Sequence, residues 1–257
     1  MFHDVVMESL IEDHRDGWVL LTLSRPEVRN ALNTGVLAAL AARLSALANE
    51  PTCRAVVLSG AGGHFAAGAD IAEIETKTAA EGAVDPRKAH WAAIRGFPKP
   101  MIAAVDGFAL GGGLELALMA DLMVLGDTAR LGLPETNLGL IPGAGGGQRL
   151  LARLGPARAA RLVLLAEIID ADTAMDWGLC SHRAPEALPL AETLATTLAV
   201  RAPLAMQAAK AALLEGAEAG LALRAERQGF EALLDTADKA EGIAAFRARG
   251  SARFTGQ

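Results

Sequence analysis

PKPMIAAVDGFALGGGLELALMADL, from Pro98 to Leu122, sets a strand-type run directly before a helix-type run. Met101 to Val105 (MIAAV) is short and continuously apolar, as a strand buried on both faces must be. Leu114 to Met119 is apolar nearly all round except for Glu115, which suits a buried helix whose N-terminus lies in Gly111-Gly112-Gly113. Outward from this stretch the theme repeats in Trp18 to Leu23 (WVLLTL), Arg54 to Ser59 (RAVVLS, ending at Gly60) and Leu122 to Leu125 (LMVL), with helix-length sequence between them. Val36, Leu37, Leu40, Leu44 and Leu47 carry helical spacing, with Thr34 placed as an N-cap. Strands alternating with helices predict an α/β fold with parallel connections. Beyond residue 200 the strand signal stops, and Pro203 to Leu214, Leu221 to Leu234 and Lys239 to Arg249 read as helices. Residues 1–200 are therefore expected to form the core and residues 201–257 a helical appendage.

Bulk properties narrow the function. A chain of 257 residues that is 52% hydrophobic can bury a large core. Cys53 and Cys180 lie far apart with no metal-ligand spacing, so neither a disulfide framework nor a metal site is expected, and a reduced, cytoplasmic setting fits. The start, MFHDVVMESLIEDHRDG, mixes acidic and apolar residues without the pattern of an export or organelle signal, and no apolar run reaches the length of a membrane span. The net charge of −6 argues against a broad nucleic-acid surface. The segment from residue 201 onward is +1 and the remainder −7, so a phosphate-bearing ligand would find its cations locally.

The glycine clusters were weighed as nucleotide loops. Gly60-Ala61-Gly62-Gly63 has Phe65 where a dinucleotide fingerprint needs glycine, and Gly143 to Gly147 fails at Gln148. Tight turns are the simpler reading, and a Rossmann dehydrogenase is disfavoured. Gly111 to Glu115 is more informative: free N–H groups at a helix start stabilise negative charge, and glycine permits close approach. A carboxylate at Glu115 among Leu114, Leu116, Ala117, Leu118 and Met119 is costly unless paired. Either a salt bridge to a distant Arg or a catalytic role accounts for it. Glu135, in Pro134-Glu135-Thr136-Asn137, reads either as a first-turn surface residue or as a second functional carboxylate. Asp70, in the small-residue loop before Ile71, reads as an N-cap.

Three segments together, FAAGADI (Phe65 to Ile71), Pro98 to Leu122, and LGLPETNLGLIPGAGGGQRL (Leu131 to Leu150), resemble the signature segments of the enoyl-CoA hydratase/isomerase, or crotonase, superfamily. The similarity runs from about Arg25 to Phe254. It implies a crotonase-like spiral of repeated ββα units, α/β in class, with a C-terminal helical trimerisation region and a homotrimer or a hexamer formed as a dimer of trimers. By the same resemblance, the backbone N–H groups of Ala69 and Gly112 form an oxyanion hole for a thioester carbonyl. Glu115 and Glu135 match the two hydratase carboxylates, and Gly143 a backbone position near the catalytic water. Arg29, Ala67, Ala69, Asp70, Ile71 and Gly112 lie along the coenzyme A thioester, and Phe246 and Arg249 match contacts to its nucleotide end from a neighbouring subunit. Ala72 and Gly63 depart from hydratases that carry Lys near the CoA phosphates, which puts contacts on that side in doubt.

The implied reaction is reversible syn addition of water to a trans-2-enoyl-CoA, giving 3-hydroxyacyl-CoA in fatty-acid or related acyl-CoA catabolism. CoA is part of the substrate, so no separate cofactor, metal, nucleic acid or membrane partner is expected. Two alternatives stay open: an enoyl-CoA isomerase or another crotonase-type CoA-thioester reaction, which needs Glu135 but not Glu115, and a non-catalytic relative that binds RNA or a protein partner. His64 reads as solvent-exposed rather than catalytic, Trp91 as packing, and the stretch Ala72 to Gly96 as the neighbourhood of the acyl tail.

Overall fold

Residues 5–7, 9–75, 77–214, 236–248 and 250–257 are described in the computed structural model. The N-terminal mixture of acidic and apolar residues forms β1 (Val5–Met7) and β2 (Leu10–His14), antiparallel to each other and, through β2, to β3 (Trp18–Leu23). From β3 onward the large sheet is parallel, adding β4 (Ala55–Gly60), β5 (Met101–Val105), β7 (Leu122–Gly126) and β10 (His182–Ala184), seven strands in all. A second, three-stranded sheet holds β6 (Phe108–Leu110), β8 (Arg130–Gly132) and β9 (Ile169–Asp170).

The spiral expected from the resemblance is visible in how the chain visits both sheets. It passes through β5 in the large sheet, β6 in the small one, then helix α5 (Gly112–Ala117). It next passes through β7, β8, a 3₁₀ turn (Pro134–Leu138) and helix α6 (Gly146–Leu164). The preceding turn is the same in outline: after β4, Ala66 bridges in parallel to Ala109 of β6 before the four-residue helix α2 (Ile71–Ile74). Each revolution thus delivers a loop and a helix N-terminus to the same edge of the molecule.

Both faces of the large sheet are covered, which explains why its strands read as continuous apolar runs. Val19, Leu21, Val56, Leu58, Ala103 and Val105 point to one side, where α1 (Thr34–Ala48) packs through Val36, Leu40, Leu44 and Leu47. The alternate residues Leu20, Val57, Ile102 and Val124 face α8 (Ala187–Ala199), which lays down Ala187, Ala191, Ala195 and Ala199 at four-residue spacing.

Several expectations shift. Asn33, not Thr34, caps α1: its side chain accepts from Val36 N at 2.8 Å, while the Thr34 hydroxyl donates to Glu73 of α2 at 2.8 Å. The RAVVLS strand begins at Ala55 rather than Arg54 and runs on to Gly60. In the tail, α9 (Pro203–Leu214) and the helix Ala237–Ala248 form; Leu221 to Leu234 and Arg249 lie outside the described residues. Buried Lys210 ties α9 to the core, pairing with Asp121 at 2.8 Å and donating to the Lys99 carbonyl at 2.9 Å. Among the described residues no helix is long and apolar enough to cross a membrane.

Candidate active site

The loop after β4 and the N-terminus of α5 meet at one point. Leu32 bridges to Ala69 by donating its N–H to the Gly68 carbonyl and accepting from Asp70 N. In such a parallel bridge the Ala69 N–H points away from Leu32. Gly112 is the first residue of α5, where the N–H has no intrahelical acceptor. A Cβ built on Gly112 would lie 3.5 Å from Ala69 N, so the two donors are neighbours. Gly111, which turns the chain into the helix, sits at φ +49°, and a Cβ there would lie 3.0 Å from Glu135 Oε1. Glycine is required on both counts.

Glu115 is one turn into α5 and 4% exposed. No salt bridge holds it among the described residues. Its Oε1 instead accepts from the backbone N–H of Ala144 at 2.7 Å and of Gly146 at 2.8 Å. The glycine-rich turn before α6 is thus a carboxylate cradle, and a Cβ on Gly146 would strike Glu115 Cγ at 2.7 Å. Arg149, one turn into α6, braces that turn by donating to the Ala144 carbonyl at 2.8 Å.

Glu135 is half-buried in the 3₁₀ turn, and its Oε2 is buried without a hydrogen-bond partner among the described residues. Burial pushes its pKa above the ordinary carboxylate value, and the nearby charge of Glu115 adds to the rise. Because the folded pKa is raised, Glu135 supports stability fully below its unfolded pKa of about 4.3, and that support is lost as pH rises through the folded value. Glu135→Gln is therefore expected to gain in melting temperature over the wild type as pH goes from about 4 to about 8. Thermal scans at the two ends check this; a gap that is constant or narrows would show that the Glu135 pKa is not raised.

Ala69, Gly112, Glu115, Glu135 and Gly143 all line one cavity of about 270 Å³. Its remaining walls are apolar at Leu32, Leu37, Ile74, Leu140 and Ile141, and Trp91 lines it while also packing on the core. Asp85, Arg87 and Lys88 line it as well. Arg29, Ala67, Asp70 and Ile71 lie outside this lining, on the chain leading to it. Ala67 N donates to the Arg29 carbonyl at 2.9 Å, and the Arg29 guanidinium stands 5.3 Å from the Phe108 ring centroid. Asp70 caps α2 and pairs with Arg25 at 3.1 Å. Ile71 is 58% exposed. The Phe246 side chain and Arg249 lie outside the described residues.

His64 departs from its reading. It is half-buried, stacks on Phe108 at 4.7 Å and accepts from Phe108 N at 3.1 Å, so it shapes the loop instead of facing solvent. Sequence reading also passed over Asn30, buried and donating to the Ala61 and His64 carbonyls, and the Ala144 and Gly146 donors, for which the glycine run was the only signal. Among the described residues no cluster of three or more His, Cys, Asp or Glu could hold a metal ion.

Comparison with known proteins agrees with this geometry. The profile of the enoyl-CoA hydratase/isomerase family matches residues 13–257. The chain is 44% identical to a 2,3-dehydroadipyl-CoA hydratase of Escherichia coli, over 98% of this chain and 100% of that protein. It is 35% identical to a crotonyl-CoA hydratase of Syntrophomonas wolfei, over 96% of this chain and 98% of that one. The crystal structure of an enoyl-CoA hydratase from Bacillus anthracis superposes with a TM-score of 0.92 at 33% identity, covering 97% of this chain and 100% of that one. By this match along nearly its whole length, the chain belongs to the enoyl-CoA hydratase/isomerase family.

Proposed function

We propose that this chain hydrates trans-2-enoyl-CoA thioesters by syn addition of water, giving 3-hydroxyacyl-CoA. The observation that carries the reading is the convergence of Glu115 and Glu135 on one cavity with the Ala69 and Gly112 donors. As water adds at Cβ, negative charge gathers on the thioester oxygen, and two preorganised N–H groups stabilise it where it develops. Glu115 spends Oε1 on the Ala144 and Gly146 donors and keeps Oε2 for orienting and deprotonating the water. Glu135, with its raised pKa and unpartnered Oε2, exchanges the proton at Cα. One carboxylate ionised and one protonated is the state such an addition needs.

The named relatives support hydration and point to short acyl groups, with a six-carbon enoyl thioester the first to assay. Coenzyme A arrives as part of the substrate, so the reaction calls for no separate cofactor. Residues 1–200 carry the site, and residues 201–257 complete a homotrimer or a dimer of trimers acting in the cytoplasm. Loss of enone absorbance over a panel of short, long and aromatic enoyl-CoA thioesters tests the activity. Hydration of the short members is the expected result. Double-bond migration without water addition would replace the hydratase with an isomerase, and no turnover of any member would favour a binding protein.

A further inference from the structure

We propose that Arg87 reads a carboxylate at the far end of the acyl group, so that the preferred substrates are short 2-enoyl thioesters carrying a terminal acid. This deepens the hydratase reading above and rests on it. The cavity that holds Glu115 and Glu135 also has Asp85, Arg87 and Lys88 in its wall, contributed by the start of α4 (Arg87–Arg95) and the turn before it. At about 270 Å³ it is near the lower end of small-molecule pockets, which suits a short acyl chain.

The chemistry of that wall is wrong for an alkyl tail. Asp85 is 9% exposed and engages Arg87 through Nε at 3.0 Å and Nη2 at 2.7 Å, and Lys77 through Nζ at 2.5 Å. The Arg87 hydrogen bonds, foremost, hold the Asp85 carboxyl well below the usual carboxylate range, so it is a fixed anion that orients a fixed cation. Asp85 thus pairs with both Lys77 and Arg87, and Arg87 lines the cavity. A methyl terminus pressed against this edge strips water from a guanidinium and returns no hydrogen bond. A carboxylate returns charge-assisted bonds to a donor already held in place, while Ile74, Leu140 and Ile141 cover its methylenes. Bracing the start of α4, where Arg87 N also donates to Asp85 at 2.9 Å, accounts for Asp85, while Arg87 also lines the cavity.

Two measurements test this. In the wild type, calorimetric titration compares adipyl-CoA with hexanoyl-CoA, unreactive thioesters of equal length that differ only in the terminal acid. The acid-tailed ligand should bind tighter by about 10- to 100-fold, the scale of a charge-assisted hydrogen bond. Equal or weaker binding overturns the proposal without recourse to any variant. In Arg87→Met, the ratio of kcat/KM for the acid-tailed six-carbon enoyl-CoA to that for 2-hexenoyl-CoA should fall by about the same factor. Should that variant fail to fold, Arg87→Lys keeps the charge and the pairing with Asp85 but loses the fork, and should narrow the preference. A preference unchanged in the folded variant removes Arg87 as the reader. Tight adipyl-CoA binding without hydration of any thioester would sink the hydratase reading and leave the subsite standing; hydration without tail discrimination would do the reverse.

Discussion

Glu115→Gln and Glu135→Gln each lower hydration by about 10²–10⁴, the range of a general acid–base contribution, with folding and thioester binding retained. Gln keeps an acceptor oxygen in place of Glu115 Oε1, so the Ala144 and Gly146 N–H groups still have a partner and the turn before α6 stays closed. What is lost is the base. The double variant should lose less than the product of the single effects, because both groups act on one water and one transition state. Exchange of the Cα proton with solvent deuterium separates the roles: Glu135→Gln should suppress it more than Glu115→Gln. Intact hydration in Glu115→Gln would end the hydratase assignment.

Ala69→Pro should cut turnover by about 10²–10³ by deleting a single oxyanion donor. The bridge to Leu32 uses the Gly68 carbonyl and the Asp70 N–H, neither of which proline at position 69 removes. Asp70→Asn, in contrast, weakens the half-buried pair with Arg25 and should affect mainly the loop. Circular dichroism establishes that the proline variant folds, and steady-state rates then give the answer; near-normal turnover in a folded variant would dissolve the assigned oxyanion hole.

The sequence made legible those features that depend on local pattern. MIAAV became β5 with the expected bounds, because a strand buried on both faces must be apolar at every position. Glu115 stood out because nothing near it in sequence could satisfy a charge, and its exact partners could not be read because they lie 29 and 31 residues away. Thr34 passed for a cap because Asn33 beside it is equally suited, and the choice turned on Glu73 of α2 drawing the Thr34 hydroxyl away. The N-terminal strands were missed because a charged residue such as Glu12 sits at a buried position, paid for by Arg43 from α1 at 2.5 Å. Asp85 and Arg87 drew no reading of their own, because nothing local in the sequence marks a charge that the fold sets in a cavity wall.

The separation between main-chain groups that hold the reacting atoms and side chains that shape the acyl wall has an evolutionary consequence. In the proposed reaction Ala69 and Gly112 act through their amides, and Ala144 and Gly146 hold Glu115 through theirs, which point substitutions seldom erase, whereas Ile74, Asp85, Arg87, Lys88 and Trp91 present side chains to the same cavity. Substitutions at those side chains are therefore expected to move substrate range with the hydration step retained, and exchanging the stretch from Ile71 to Arg95 between relatives, followed by assay of the thioester panel, checks this.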